Sequence, residues 1–205
     1  MPDIWFITGG GRSGKSAYAE NLAAEKSAAP GPVGAGKAGN TTACQYPGVL
    51  YIATASCADE EMRERIARHR ADRPKGWITW ERHRGLADIE AEFDAGAFGT
   101  ILLDCLGNLL MGILFEEIPD AEDFQLDAFG RVERLSISEI DTLRAYARKH
   151  EKRLIFVTNE IGMGIIPATR YSRYYRDALG RVNKHAAAVS DRAVLMVAGI
   201  PMTLK

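Results

Sequence analysis

Short apolar runs alternate along this chain with stretches whose apolar residues recur every three or four positions. Residues 4–8 are apolar and stop at glycines, which predicts a buried strand. Residues 49–53, 100–104, 154–158 and 194–197 have the same character, and 77–80 predict a shorter strand. A turn at Gly199-Ile200-Pro201 precedes a last short strand over 202–204. Helices are predicted over 14–26, 59–70, 86–93, 132–149 and 171–190, with another beginning in 108–115. Met62 and Ile66 share a face of the second, and Leu86, Ile89 and Phe93 a side of the third. Buried strands alternating with helices predict an α/β fold, a mainly parallel sheet with helices on both faces.

Two segments break the rhythm. Residues 27–48 are rich in Ala, Gly, Pro and Thr with no periodicity, which predicts a flexible surface insertion. An ordered loop or lid is the alternative. The acidic stretch 116–127 predicts an exposed connection. The whole of 1–205 reads as one domain carrying that insertion, a length that suits a single α/β core, with two small domains as the alternative.

Charge changes the picture by exclusion. The balance of 26 Lys+Arg against 27 Asp+Glu gives no bulk reason to expect nucleic acid or a membrane surface as partner. No apolar run is long enough to insert in a membrane, and the start lacks the pattern of a signal peptide. Cys44, Cys57 and Cys105 are odd in number and lack CxxC spacing, which favours reduced thiols in the cytoplasm, with Cys105 a small core residue.

The candidate chemistry starts where the first strand ends. Gly9-Gly10-Gly11-Arg12-Ser13-Gly14-Lys15-Ser16 matches the phosphate-loop spacing in full, after a strand and before a helix, as the motif requires. Glycines let backbone N–H groups wrap a phosphate, and the helix N-terminus adds its positive dipole end. The fold expectation therefore sharpens to P-loop NTPase-like. Lys15 is expected to meet the β/γ-phosphates and Ser16 to hold Mg2+ through its hydroxyl. Asp104 ends an apolar strand, where such proteins keep a second Mg2+-linked carboxylate, directly or through water.

Arg65, Arg68, Arg70 and Arg73 crowd His69, so a polyphosphate folded by the arginines would meet a competent nucleophile. From spacing alone, an ordinary histidine on an exposed basic helix end is the favoured reading. His83, His150 and His185 read as surface residues, and no histidine pair has metal-ligand spacing. Asn159-Glu160-Ile161-Gly162-Met163-Gly164 follows a buried strand, which suits either a ligand edge or a plain turn.

Several blocks, in order, resemble one family. They are Thr8 through Ser16, Tyr51-Ile52-Ala53-Thr54-Ala55, Arg65-Ile66 through His69-Arg70 to Arg73-Pro74, and Trp77-Ile78-Thr79-Trp80-Glu81. Leu102-Leu103-Asp104-Cys105 follows, then Val157 through Pro167, Arg176-Asp177 and Gly180-Arg181-Val182-Asn183. The sequence is similar to the bifunctional adenosylcobinamide kinase / adenosylcobinamide-phosphate guanylyltransferase family of cobalamin biosynthesis. The insertion departs from that family's compact pattern without removing a motif.

The resemblance implies phosphorylation of adenosylcobinamide by ATP or GTP, then GMP transfer from GTP to adenosylcobinamide phosphate. It implies His69 as the guanylylated residue, against the reading from spacing. It implies nucleotide binding by residues 9–16, by Ala53, Thr54 and Ala55, by Arg70, Ala71, Asp72 and Arg73, and by Glu81 and Asp104. It also implies a homotrimer. Two other readings stand beside it: a plain P-loop small-molecule kinase with a structural His69, and a P-loop nucleotide switch with little chemistry.

Deleting residues 28–46 is expected to change stability by less than about 1 kcal/mol, because closure entropy varies slowly with loop length. Denaturant unfolding checks this, and a deletion that unfolds the protein would show the segment to be packed.

Overall fold

The computed structural model describes residues 3–27, 48–55, 74, 76–120 and 125–205. The apolar runs become strands β1 (Ile4–Gly9), β2 (Gly48–Ala53), β3 (Ile78–Glu81), β4 (Phe98–Asp104), β5 (Arg153–Val157), β6 (Arg192–Val197) and β7 (Ile200–Thr203). They form one sheet in the order β3-β2-β4-β5-β1-β6-β7. Every pairing is parallel except that of β6 with β7. The helices among the described residues are α1 (Lys15–Ser27), the single turn α2 (Ile89–Glu92), α3 (Leu106–Glu117), α4 (Leu126–Lys149) and α5 (Arg170–Val189).

Strand alternation sorts side chains to two cores, one on each face. Ile4, Phe6, Leu154 and Phe156 face α3, α4 and α5, where Leu109, Ile113, Phe129, Val132, Leu179 and Val182 complete the larger core. Ile7, Leu102, Ile155 and Val157 face the other way, against Ala19, Leu22 and Ala23 of α1. Burying such a Leu, Ile or Phe side chain contributes roughly 1.5–3 kcal/mol. The helices thus cover both faces, as the alternation of strands and helices predicts. In α4 the buried positions Phe129, Val132, Ser136, Ile140, Leu143 and Ala147 recur every three or four residues. Ser136 satisfies its buried hydroxyl by donating to the Val132 carbonyl at 2.9 Å.

Three local expectations change. The predicted helix over 86–93 is a 3-10 turn, Leu86–Asp88, running into α2. Gly85 enters with φ 72, and Glu139 of α4 accepts from the Gly85 and Leu86 N–H groups, both at 2.8 Å. A carboxylate from a neighbouring helix therefore takes the place of a local cap. The acidic connection is shorter than predicted at both ends: Glu116 and Glu117 belong to α3, Ile118 is buried, and α4 begins at Leu126 rather than at 132. Ile118 packs into the larger core, and Arg84 and Arg131 pair with Glu117 at 3.1 and 2.7 Å beside it. The last turn falls one residue earlier, at Ala198-Gly199, whose φ values of 50 and 82 suit a two-residue hairpin. Pro201 lies in β7, an edge strand, where its missing N–H is tolerated. The expectations for 28–47 and for the helix over 59–70 lie outside the described residues, apart from the ends of α1 and β2 that flank the first.

Glu139→Ala is expected to cost about 1–3 kcal/mol, since two N–H groups lose a charged acceptor. Urea unfolding of the variant measures it, and a change below 0.5 kcal/mol (roughly the scatter of neutral surface substitutions) would contradict the capping role.

Candidate active site

Parallel strands end together, and this sheet uses that fact to gather residues from distant parts of the chain. Ala53 pairs laterally with Glu81 and with Asp104, Asp104 with Val157, Val157 with Ile7, and Gly9 with Met196. Ala53, Glu81, Asp104 and Gly9 therefore lie along one carboxyl edge, where open α/β sheets take ligands.

The glycine loop rises from this edge. Gly9 has φ 152, and a Cβ there would come within 2.5 Å of the Met196 carbonyl oxygen and 2.7 Å of Ser13 Oγ. Arg12 and Gly14 have φ 56 and 91, which carries the chain over into α1. Two neighbours brace the loop from outside: Gly199 N–H donates to the Ser13 carbonyl and Glu160 N–H to the Gly9 carbonyl, both at 3.0 Å. Lys15 is buried to 8% exposure and curls back so that Nζ donates to the Gly10 carbonyl at 2.8 Å. A cation, a helix N-terminus and a turn of backbone thus meet in one place, which can receive a polyphosphate. The buried hydroxyls of Thr8 and Ser13 make no hydrogen bond among the described residues.

Asp104 is half-buried, and Tyr51 donates to its Oδ2 at 2.9 Å. Thr54 is buried beside it and bridges the strand ends: its hydroxyl donates to the Cys105 carbonyl and accepts from Cys105 N–H, each at 2.7 Å. Ala53 is buried, Ala55 half-buried and Glu81 exposed at the end of β3. Cys105 is buried, and burial, reinforced by the Asp104 charge, pushes its thiol up to about 12. It stays protonated at neutral pH and is no nucleophile, in keeping with a core residue. Ser16 and Asp104 offer hydroxyl and carboxylate oxygen, the donor chemistry that suits Mg2+.

His69, Arg70, Ala71, Asp72 and Arg73 lie outside the described residues. The other three histidines each face a carboxylate: His83 with Glu116 at 2.7 Å, His150 with Glu90 at 3.2 Å and His185 with Asp141 at 2.9 Å. The His83 ring packs over Gly112, where a Cβ would meet it at 2.5 Å.

Sequence reasoning assigned no role to Tyr51 or Asn183. Tyr51 is the polar-tipped residue of an otherwise apolar strand, a detectable signal. Asn183 breaks the apolar stripe of α5: it is 6% exposed, accepts from the Thr158 hydroxyl at 2.8 Å and donates to the Asn159 carbonyl at 3.0 Å. It ties the loop after β5 to the helix behind it.

The sequence profile described as cobinamide kinase / cobinamide phosphate guanyltransferase matches residues 5–204. The chain belongs to this family. It is accordingly an enzyme of the transferase class. Among its relatives is the bifunctional adenosylcobalamin biosynthesis protein CobU of Escherichia coli, 35% identical over 203 residues, covering 97% of this chain and 98% of that protein. CobU of Salmonella typhimurium is 36% identical over 199 residues, with 97% and 98% covered. The bifunctional adenosylcobalamin biosynthesis protein CobP of Pseudomonas aeruginosa is 36% identical over 200 residues, with 97% and 95% covered. No helix among the described residues is long and apolar enough to cross a membrane.

Gly9→Ala is expected to lower stability by about 1–3 kcal/mol, because its methyl must displace backbone. Gly10→Ala, whose Cβ meets nothing within 4 Å, should change it by less than about 1 kcal/mol. Thermal unfolding of the pair separates them, and equal losses would show that the close approach at Gly9 does not constrain the loop.

Proposed function

We propose that the protein phosphorylates adenosylcobinamide with ATP or GTP, then transfers GMP from GTP to the product through a guanylylated His69. The products are adenosylcobinamide-GDP and pyrophosphate. The observation that carries this reading is the meeting of the Lys15 loop and Asp104 at one sheet edge, in a chain of this family.

In the first step the acceptor hydroxyl oxygen bonds to the γ-phosphorus. The bond to the bridging oxygen breaks, the nucleoside diphosphate leaves and the hydroxyl proton passes to solvent. The loop N–H groups and Lys15 hold the phosphates and stabilise charge on the leaving diphosphate. Ser16 and Asp104 would hold Mg2+, which when bound neutralises phosphate charge. In the second step an imidazole nitrogen of His69 attacks the α-phosphorus and pyrophosphate leaves. A phosphate oxygen of the corrinoid then takes GMP and the nitrogen–phosphorus bond breaks. Arg70 through Arg73, with Ala53, Thr54, Ala55 and Glu81, complete the nucleotide site in this reading.

The protein acts as a single domain and, given the odd cysteine count without CxxC spacing, in the cytoplasm. Exposed Ile165, Ile166, Ile200 and Met202 support self-association, and the trimer follows from the family resemblance.

Incubation with labelled GTP is expected to leave an acid-labile, alkali-stable GMP adduct that maps to His69. His69→Asn should lose the adduct and guanylyl transfer while keeping much of the kinase activity, and Lys15→Ala should lose the kinase step while folded. An adduct of the same lability on His69→Asn would move the nucleophile elsewhere. Equal loss of both activities would make His69 a shaper of the shared site.

A further inference from the structure

Strand β5 lies between β1, which carries the glycine loop, and β4, which carries Asp104. Those two strands stand two inter-strand spacings apart, roughly 10 Å. A phosphate chain held by the loop and facing Asp104 must therefore cross the end of β5.

The backbone there is held in place. Pairing with β1 continues past β5, with Thr158 N–H donating to the Ile7 carbonyl at 2.9 Å and Glu160 N–H to the Gly9 carbonyl at 3.0 Å. Asn159 thus stands level with Gly9. Its carbonyl accepts from Asn183, and its neighbour Thr158 donates to the same side chain. Alternation then fixes direction: Leu154 and Phe156 enter the core under α5, while Ile155 and Val157 enter the core under α1. Thr158 follows the first pair, toward Asn183, so Asn159 follows the second. That face also carries Asp104, in step with Leu102, and the N-terminus of α1 with Lys15. Asn159 is half-buried, and among the described residues its side-chain amide makes no hydrogen bond.

We propose that the Asn159 side-chain amide donates to the terminal phosphate of a bound nucleoside triphosphate and so distinguishes triphosphate from diphosphate. This rests on the nucleotide reading of the loop. An amide suits that role because it donates without a charge that would also bind the diphosphate product tightly. Its backbone is tied to both the loop and α5, so the donor is aimed before the ligand arrives. A hydrogen bond to a charged oxygen is worth roughly 10- to 100-fold in affinity.

The test is equilibrium binding of a non-hydrolysable GTP analogue and of GDP to the full chain, with kinase kinetics alongside. Asn159→Ala should weaken the analogue roughly 10- to 100-fold and leave GDP within about threefold, with the loss in kinase turnover exceeding any change in KM for the corrinoid. Asn159→Asp, of the same size, should weaken the analogue further while GDP still binds, which separates a phosphate contact from a packing role. Retention of the parent's analogue-to-GDP ratio in both variants overturns the inference and leaves the proposed function standing. Equal weakening of analogue and GDP also overturns it, making Asn159 a support of the loop. If the parent protein binds neither ligand, the nucleotide reading itself falls, and this inference with it.

Discussion

The backbone crossing at Gly9 sets the geometry on which the candidate site depends. Strand β1 passes so close to Met196 that no side chain fits at this position, and the chain leaves with a φ that L-residues avoid. From there the loop is fastened at two further points, by Gly199 on one side and Glu160 on the other. A loop of this length would otherwise sample many conformations, at an ordering cost of about 1 kcal/mol or more per residue on binding. Here hydrogen bonds from the β6–β7 turn and from the segment after β5 hold the loop in one conformation.

The same arrangement recurs along the edge. Thr54 commits its hydroxyl to the backbone of Cys105, and Tyr51 commits its own to the carboxylate of Asp104. Both are interior residues near the end of β2, so the carboxylate is oriented by a strand that does not carry it. Asn183 does the equivalent for the end of β5 from the helix behind. Buried polar groups are costly unless paired, and each of these is paired with another part of the edge. The larger core under α3, α4 and α5 supplies the rigidity that makes such pairings durable.

Much of this was legible in the residues. The strand runs, the glycine loop between strand and helix, and the carboxylate at the end of β4 are local patterns, so they appear within a few residues of one another. The misjudged segments share a different cause. The start of 86–93 is shaped by Glu139, 53 residues away from Leu86. The end of α3 buries Ile118 in the larger core and pairs Glu117 with Arg84 and Arg131, and no local propensity records these contacts.

The sequence by itself determined the family, the alternation of strands and helices, and the chemical character of the loop, because period and motif spacing are properties of neighbours. Only the tertiary structure decided that β5 lies between β1 and β4, that Gly199 touches the loop, and that Asn159 shares a face with Asp104. Those are outcomes of strand order, fixed by pairings such as Ile7 with Val157 between residues remote in the chain. Parallel strands are joined by crossovers rather than hairpins, so adjacency in the sheet leaves no mark on adjacency in sequence.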